Sequence, residues 1–334
     1  MSSTNLGWLF YKDYFTAIDD WTNPKNSEEA LAKKVDELIT YPITIDTKEP
    51  PLGNIYFKAS TTYPGLILGS GYLHELPSLE GQAILGFDFD YTTGLPIIRG
   101  SSIKGVLRSA FKHPEYIQEL LDGKSIDIKA LEIEIFDNND VFFDATIIKS
   151  VGSILADDYL APHGDNPLKN PIPLKFIKVA PNVTFRFDFE LTDGLISKEE
   201  KALLFGAILY DFGLGAKSNV GYGKFDDKLS KDRLKRQLKE NAEEKEKEEK
   251  RLKEEEEKRQ KAQKIASLSP IEALKEEIKE ANDNKDIYDL LVKKDIKDDL
   301  ELQKFVLDKI GEKPAKPKPA KRKWAIKIYE FFGL

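Results

Sequence analysis

Apolar residues along this chain change their spacing in a way that separates a strand-rich first two thirds from a helical remainder. Between Gly94 and Gly100 the run Leu95 to Ile98 reads as a short strand, and beyond it Ile103, Leu107, Ala110 and Phe111 recur at helical spacing. Gly94 to Lys112 is therefore predicted as strand, tight turn and helix, with Ser101 or Ser102 as the capping hydroxyl and Gly100 carrying the backbone through the turn. Alternation over Ile84 to Phe89 and over Val183 to Leu191 predicts strands with one buried face. In the second, Phe185, Phe187 and Phe189 oppose Arg186, Asp188 and Glu190. Val141 to Ala145 reads as a buried strand, Tyr116 to Leu121 as a short helix followed by strands, and Ala202 to Phe212 as an apolar helix. Ser27 to Ile39 carries a capping serine with acids in its first turn, and the aromatic patch from Leu6 to Phe15 is expected in the core.

After Lys228 the pattern changes. From Lys231 to Lys264 the apolar residues are Leu234, Leu238, Ala242, Leu252 and Ala262, too few for a heptad stripe, so a long solvated helix held by i, i+4 ion pairs is expected. Ser269-Pro270 then opens an amphipathic helix with Ile271, Leu274 and Ile278 on one face, and Ile287 to Val292 and Leu300 to Ile310 follow. Pro314, Pro317 and Pro319 punctuate a basic linker before a last helix, Trp324 to Phe332, expected to dock on residues 270 to 310 or on a partner. The predicted organisation is an α+β domain over residues 1–228, a charged helical spacer over 229–266 and a small helical domain over 267–334, with the helices of the first domain on one face of its sheet.

Composition narrows the function classes. A chain of 334 residues with 40% hydrophobic content can bury one substantial core and a second small one. The absence of cysteine excludes disulfides and thiolate metal sites. A net charge of −7 argues against gripping nucleic acid by bulk charge, so any RNA contact must use a local basic groove. There is neither a basic-then-apolar secretory segment at Met1 nor an apolar run approaching the roughly 18 residues of a membrane helix, and a soluble, cytoplasmic chain without a membrane partner is expected.

Two stretches carry candidate chemistry. A helix opening at Gly100 to Ser102 directs free N–H groups and its positive dipole end outward, with Arg99, Lys104 and Arg108 nearby, which suits an anion such as phosphate. The bland alternative is that these cations are solvated and the serines only cap a helix. The second stretch is Asp211 to Phe225, in which Gly213, Gly215, Gly221 and Gly223 flank Lys217, Ser218 and Asn219. It fails the phosphate-loop motif because Ala216 precedes Lys217, and it fails the dinucleotide fingerprint because Ser218 stands at the last glycine position. What remains is a flexible basic loop whose backbone can approach a ligand closely. His74, His113 and His163 are scattered over three segments and none adjoins Lys217, so no catalytic residue is assigned. Asp157, Asp158, His163 and Asp165 offer a single nitrogen ligand, so neither a metal site nor a cofactor is expected.

The strand feeding G-S-S-x-K-G-x-x-R, the late GLGAKSNVGYG loop, NLGWLFYKDYF at Asn5 to Phe15, YPGLILGSGYLH at Tyr63 to His74, VFFDA at Val141 to Ala145 and ILADDYLAPH at Ile154 to His163 occur in one order. Together they resemble the RAMP superfamily of CRISPR-associated RNA-binding proteins, and within it the sixth-subunit family of the type III-B (Cmr) effector. The resemblance covers about residues 5 to 226. It departs after VFFDA, where Thr146 and Ile147 replace an aromatic residue and proline, and it says nothing about the chain beyond Lys228. It implies an RRM-like, ferredoxin-like antiparallel sheet with helical insertions, and an RNA path along the first-helix start and the glycine loop. The RNA-binding residues would then be Arg99, Gly100, Ser101, Ser102, Lys104, Arg108, Gly213, Gly215, Lys217, Ser218, Asn219 and Gly221. It further implies a non-catalytic subunit that holds crRNA near its 3′ end and caps the backbone filament in antiviral defence. Its partners would be crRNA, target RNA, and the backbone RAMP and small subunits. A stand-alone RAMP endoribonuclease, cutting CRISPR precursor RNA without metal by activating a 2′-hydroxyl, is the alternative. The chain lacks the aromatic run of an ordinary RRM, which favours backbone and basic contacts over stacking.

Overall fold

The computed structural model describes residues 5–43, 45, 50–73, 86–138, 140–160, 173–311 and 321–334. They form two compact units, 1–244 and 245–334. The first unit opens with α1 (Leu6–Trp8), which runs on through tighter and wider helical turns to Ala17, and α2 (Glu28–Thr40). Then follow β1 (Ile55–Ser60), β2 (Ile97–Ile98), α3 (Gly100–Ala110), α4 (Pro114–Leu120), α5 (Ile128–Asp137), β3 (Val141–Phe142) and β4 (Ala145–Ser150). After β5 (Leu155–Leu160), β6 (Leu174–Val179), β7 (Val183–Glu190) and α6 (Lys198–Phe212), helix α7 (Lys231–Ala266) begins in this unit.

The sheet is antiparallel with order β1-β7-β4-β2, and β3 also pairs with β7; β5 and β6 form a separate ribbon. Reading β1, α3, β4, β7, α6 and then Phe225, which bridges antiparallel to Thr61, gives the β-α-β-β-α-β alternation of a ferredoxin-like fold with its last strand reduced to one bridge. Phe57 of β1 and Phe187 and Phe189 of β7 stack within about one ring of each other on the inner face, and Phe205 of α6 meets Phe189 at 5.5 Å between centroids. Ile103 and Leu107 of α3 join the same core, as do Leu6 and Phe10 of the N-terminal patch. Each such fully buried side chain contributes about 1.5–3 kcal/mol.

Because the last strand is so short, the outer edge of β1 has no strand partner among the described residues apart from the bridge at Thr61, and polar side chains complete it. Ser60 N–H donates to Asp226 Oδ1 at 3.1 Å, Gln237 of α7 both accepts from Lys58 N–H and donates to Lys58 O, and Asn241 donates to Tyr56 O at 2.9 Å. An open edge is an aggregation template, and these contacts close it. The first turns of α7 are therefore part of the body of the unit: Leu234 and Leu238 sit in its core, and a Cβ on Gly206 of α6 would lie 2.1 Å from Leu234 Cδ2. The composition of α7 predicts a solvated spacer, whereas the unit boundary falls at 244.

Three further expectations differ from what is observed. Strand β7 is buried on both faces, since it is central between β1 and β4; Arg186 pairs with Asp188 at 2.8 Å and Thr184 bonds Ser60 at 2.9 Å. Residues 128–137 form a helix although Leu131, Ile133 and Ile135 alternate with acids like a strand; Asp127 caps it through the N–H groups of Lys129 and Ala130. Ser27 stands at the start of α2 but its hydroxyl makes no capping hydrogen bond.

In the second unit the helical segment 245–260 is exposed, and α8 (Pro270–Glu280), α9 (Asn284–Lys294), α10 (Leu300–Ile310) and α11 (Lys321–Phe331) bury Leu274, Ile278, Ile287, Leu291, Leu302, Val306 and Ile328 together. Ser269 and Glu272 form a reciprocal capping box at the start of α8. The last helix docks within residues 270–310, Trp324 meeting Tyr288 of α9 at 5.5 Å between ring centroids.

Candidate nucleic-acid interface

Helix α3 starts one residue earlier than the serines predict. Arg99 holds the cap position, Gly100 is the first helical residue, and neither serine hydroxyl caps the helix. The orphan N–H of Gly100 donates instead to Asp144 Oδ1 at 2.7 Å, so a carboxylate of the protein takes the place at the helix end that suits an external anion. Gly100 is needed for close approach, since a Cβ there would lie 2.1 Å from the carbonyl oxygen of Phe142. Arg99 donates to Asp144 and to buried Asp88, each at 3.1 Å, and the hydrogen bond to Asp88 raises its pKa further above the usual guanidinium value. Arg108 is clamped by Asp137 at 2.9 and 3.0 Å and by Glu132 at 3.1 Å. Lys104 lies over the Phe142 ring, 5.7 Å from its centroid, and forms no ion pair among the described residues.

The loop after α6 is fastened rather than flexible. Ala216 N–H donates to Ile67 O and Gly223 N–H to Gly65 O, both at 2.8 Å. Gly223, at φ +71°, would place a Cβ 1.7 Å from Leu214 O, and Gly215, at φ +81°, would place one 2.0 Å from Ile67 O. Gly213 ends α6, while Gly221 closes the short 3₁₀ turn Ser218–Val220. Behind the turn, Tyr222 donates to Asp158 Oδ2 at 2.7 Å, and Lys178 pairs with the same carboxylate. Burial first, and then this hydrogen bond, push the Tyr222 hydroxyl up to about 12. Burial would raise the pKa of Asp158, but Lys178 and Tyr222 together hold it below the ordinary carboxylate value. The loop thus presents Lys217 in a left-handed conformation at φ +58°, exposed and without an ion pair among the described residues, next to the half-buried Ser218 and the exposed Asn219.

The two stretches meet on a third. The segment Tyr63–Tyr72 holds the glycine loop through Gly65 and Ile67, and at its other end Ser70 donates to Asp88 Oδ2 at 3.0 Å, the carboxylate whose Oδ1 receives Arg99. Gly69 lies against Ala216, beside Lys217. Tyr63 is 86% exposed and Tyr72 69% exposed at the ends of this bridge. Tyr63 and Tyr72 carry no charge and stand at no helix start, so neither is among the residues expected to bind RNA. The signal available was the glycine punctuation at 65, 69 and 71, which marks close backbone approach.

The remaining candidate groups are dispersed. His113 precedes α4 with its ring 6.4 Å from that of Phe212, while His74, His163 and Asp165 lie outside the described residues. Asp157 and Asp158 lie in strand β5, and Asp157 pairs with Lys175 at 3.2 Å. Among the described residues no group of three or more His, Cys, Asp or Glu side chains is arranged to hold a metal ion, and no helix is long and apolar enough to cross a membrane.

The CRISPR system CMR subunit Cmr6 of Saccharolobus solfataricus is 30% identical to this chain over 150 residues, covering 42% of this chain and 48% of the relative. The chain thus spans about half the length of the curated relative it matches. Among solved structures, one chain in the cryo-EM structure of the type III-B Cmr-beta bound to cognate target RNA is 26% identical with a TM-score of 0.43, over 64% of this chain and 78% of that one. The crystal structure of Cmr6 from Pyrococcus furiosus is 21% identical with a TM-score of 0.34, over 51% of this chain and 96% of that one. The model of the RAMP superfamily matches residues 58–226, about half of the chain and the part that runs from β1 through the glycine loop to Phe225, and the chain belongs to the RAMP superfamily.

Proposed function

We propose that this chain is a non-catalytic RNA-binding subunit of a type III-B CRISPR ribonucleoprotein, similar in role to Cmr6, that holds crRNA near its 3′ end and caps the backbone filament. The observation that carries the reading is that polar side chains stay uncommitted both at the start of α3 and in the glycine loop, two stretches that the Tyr63–Tyr72 bridge ties together through Asp88 and through Gly65 and Ile67. Lys104 and Lys217 have no carboxylate partner among the described residues, and the side chains of Ser101, Ser102, Ser218 and Asn219 make no hydrogen bond to them. Two cations and four neutral hydrogen-bonding groups suit phosphate and sugar contacts that position a strand without reading it. Arg99 and Arg108, each fixed by two carboxylates, add guanidinium edges of set direction, and Gly100, Gly213, Gly215 and Gly221 keep the backbone in place around them. RAMP membership and the similarity to Cmr6 support this reading; crRNA, target RNA, and the backbone RAMP and small subunits are the partners it entails.

The test is crRNA affinity of the reconstituted complex against salt, with two unrelated guides. Replacing Lys104 and Lys217 by Ala is expected to weaken both guides equally and to shallow the salt slope by about 0.7 for each lost contact with a single strand. A loss confined to one guide would reassign the site to base readout. Site-specific cutting of repeat RNA by the purified chain in chelator would favour the endoribonuclease instead.

A further inference from the structure

On the face of the sheet turned away from α3 and α6 lies a groove of about 1010 Å³, floored by β1, β4 and β7 and walled by the first turns of α7. That is the upper end of the roughly 300–1,000 Å³ range of small-ligand pockets, enough for a length of polymer. Lys58, Lys149, Arg186, Lys228, Arg233 and Arg236 line it, against Glu240 and Glu244, in a chain whose net charge is −7. Three of the cations are engaged inside the protein: Arg186 with Asp188, Lys228 with Asp226 and Arg233 with Asp227. Lys58, Lys149 and Arg236 form no ion pair within 4 Å among the described residues, and the Lys58 ammonium lies over the Tyr56 ring, 5.6 Å from its centroid.

The register sharpens the point. Lys58 stands directly opposite Arg186 across β1 and β7, and Lys149 opposite Thr184 on the next strand. Like charges facing one another on a sheet are destabilising, and the single carboxylate of Asp188, which pairs with Arg186 and acts on Lys58 only through space, offsets the two cations in part. A bound anion would relieve the remainder. The lining also decides between an anionic polymer and a protein. Protein docking sites are built on buried aromatic or aliphatic anchors, whereas the apolar contribution here is Pro51, Ile148 and the ring of Tyr56. Cations interspersed with the hydroxyls of Tyr56 and Thr184 are the chemistry of phosphodiester contacts.

We propose that this groove holds a stretch of single-stranded RNA backbone, with Lys58, Lys149 and Arg236 as phosphate contacts, as a second site separate from the glycine loop. The choice of RNA rests on the function proposed above, so the experiment separates the two. Binding of a fluorescent single-stranded oligouridine to the full-length chain is measured by anisotropy over a series of salt concentrations. The variants are Lys58→Ala with Lys149→Ala and Arg236→Ala, Lys217→Ala alone, and Lys58→Arg with Lys149→Arg. The triple variant is expected to shallow the slope by about 2, from about 0.7 per contact over three contacts, while the arginine pair keeps the wild-type slope. Thermal melts establish that each variant is folded. A folded triple variant with the wild-type slope overturns the groove and leaves the glycine-loop reading standing. The converse result, with only Lys217→Ala silent, leaves the groove and removes the loop. Absence of binding by the wild-type chain overturns the proposal. So does a triple variant that binds RNA normally but fails to assemble with the other subunits, which would assign the groove to an acidic protein partner.

Discussion

The start of α3 and the glycine loop look alike in sequence, each a run of glycine and serine around basic residues, yet the fold treats their charges in opposite ways. At α3 every arginine is answered from within: Arg99 by Asp88 and Asp144, Arg108 by Glu132 and Asp137, and the helix end itself by Asp144. In the loop the backbone is consumed by packing against Gly65 and Ile67, and Lys217 is left over. The lesson is that a glycine and a cation in one motif need not serve one purpose. Here the glycines belong to the protein, and the unpaired side chains are what remains for a ligand.

The strongest break of that comparison is steric. Gly223→Ala combines a left-handed φ with a Cβ 1.7 Å from Leu214 O, whereas a Cβ at Gly221 would meet Pro64 Cδ at 3.6 Å. We expect Gly223→Ala to lose at least about 3 kcal/mol and Gly221→Ala about 1–2, the conformational strain alone. Denaturant titration of both decides it, and equal losses would mean that the packing role assigned to Gly223 is wrong. Next, Asp144→Ala leaves the Gly100 N–H and one edge of Arg99 without their partner, at a cost of about 1–3 kcal/mol. It also opens the helix end to anions, so RNA affinity of the folded variant should rise. An affinity at or below wild type would show that α3 presents no latent anion site.

A smaller effect comes from Tyr222. Its folded pKa is raised, by burial and by Asp158, to about 12, so the stability it contributes is complete below the unfolded value of about 10 and is lost as pH rises through about 12. The stability difference between wild type and Tyr222→Phe, about 1 kcal/mol at neutral pH, should therefore shrink between those values, stay flat from there down through neutrality, and shrink again only in acid as Asp158 is protonated. A difference that instead changes near neutrality would detach Tyr222 from Asp158. Smallest in stability is Lys217→Ala, expected within about 0.5 kcal/mol of wild type by thermal melt. Its signature is confined to the salt slope of RNA binding, and a clear loss of stability would place the ammonium in the packing after all.

Much of the architecture was legible because burial of a periodic face is a local constraint. The Phe185, Phe187, Phe189 alternation, the α6 pattern and the apolar stripe of α8 each predict their element, and GSSIKG with GLGAKSNVGYG points to the family. The misses have a common cause. Leu131, Ile133 and Ile135 alternate like a strand, but the cap at Asp127 and the packing of α5 beside α3 and α4 make a helix. The first turns of α7 have the composition of a spacer, yet a truncated last strand leaves β1 with open N–H and C=O groups that Gln237 and Asn241 satisfy.

By itself, then, the amino-acid sequence determined what can be decided within a few turns of chain: most element types, a composition free of cysteine, and the presence of basic glycine-rich motifs. Which of those cations remain available was decided only in three dimensions. Asp88 and Asp144 are 11 and 45 residues from Arg99, and the bridge that joins Lys217 to them lies about a hundred and fifty residues before it in the chain. Charge compensation acts through space over a few ångströms, so it depends on contacts that a local pattern does not contain.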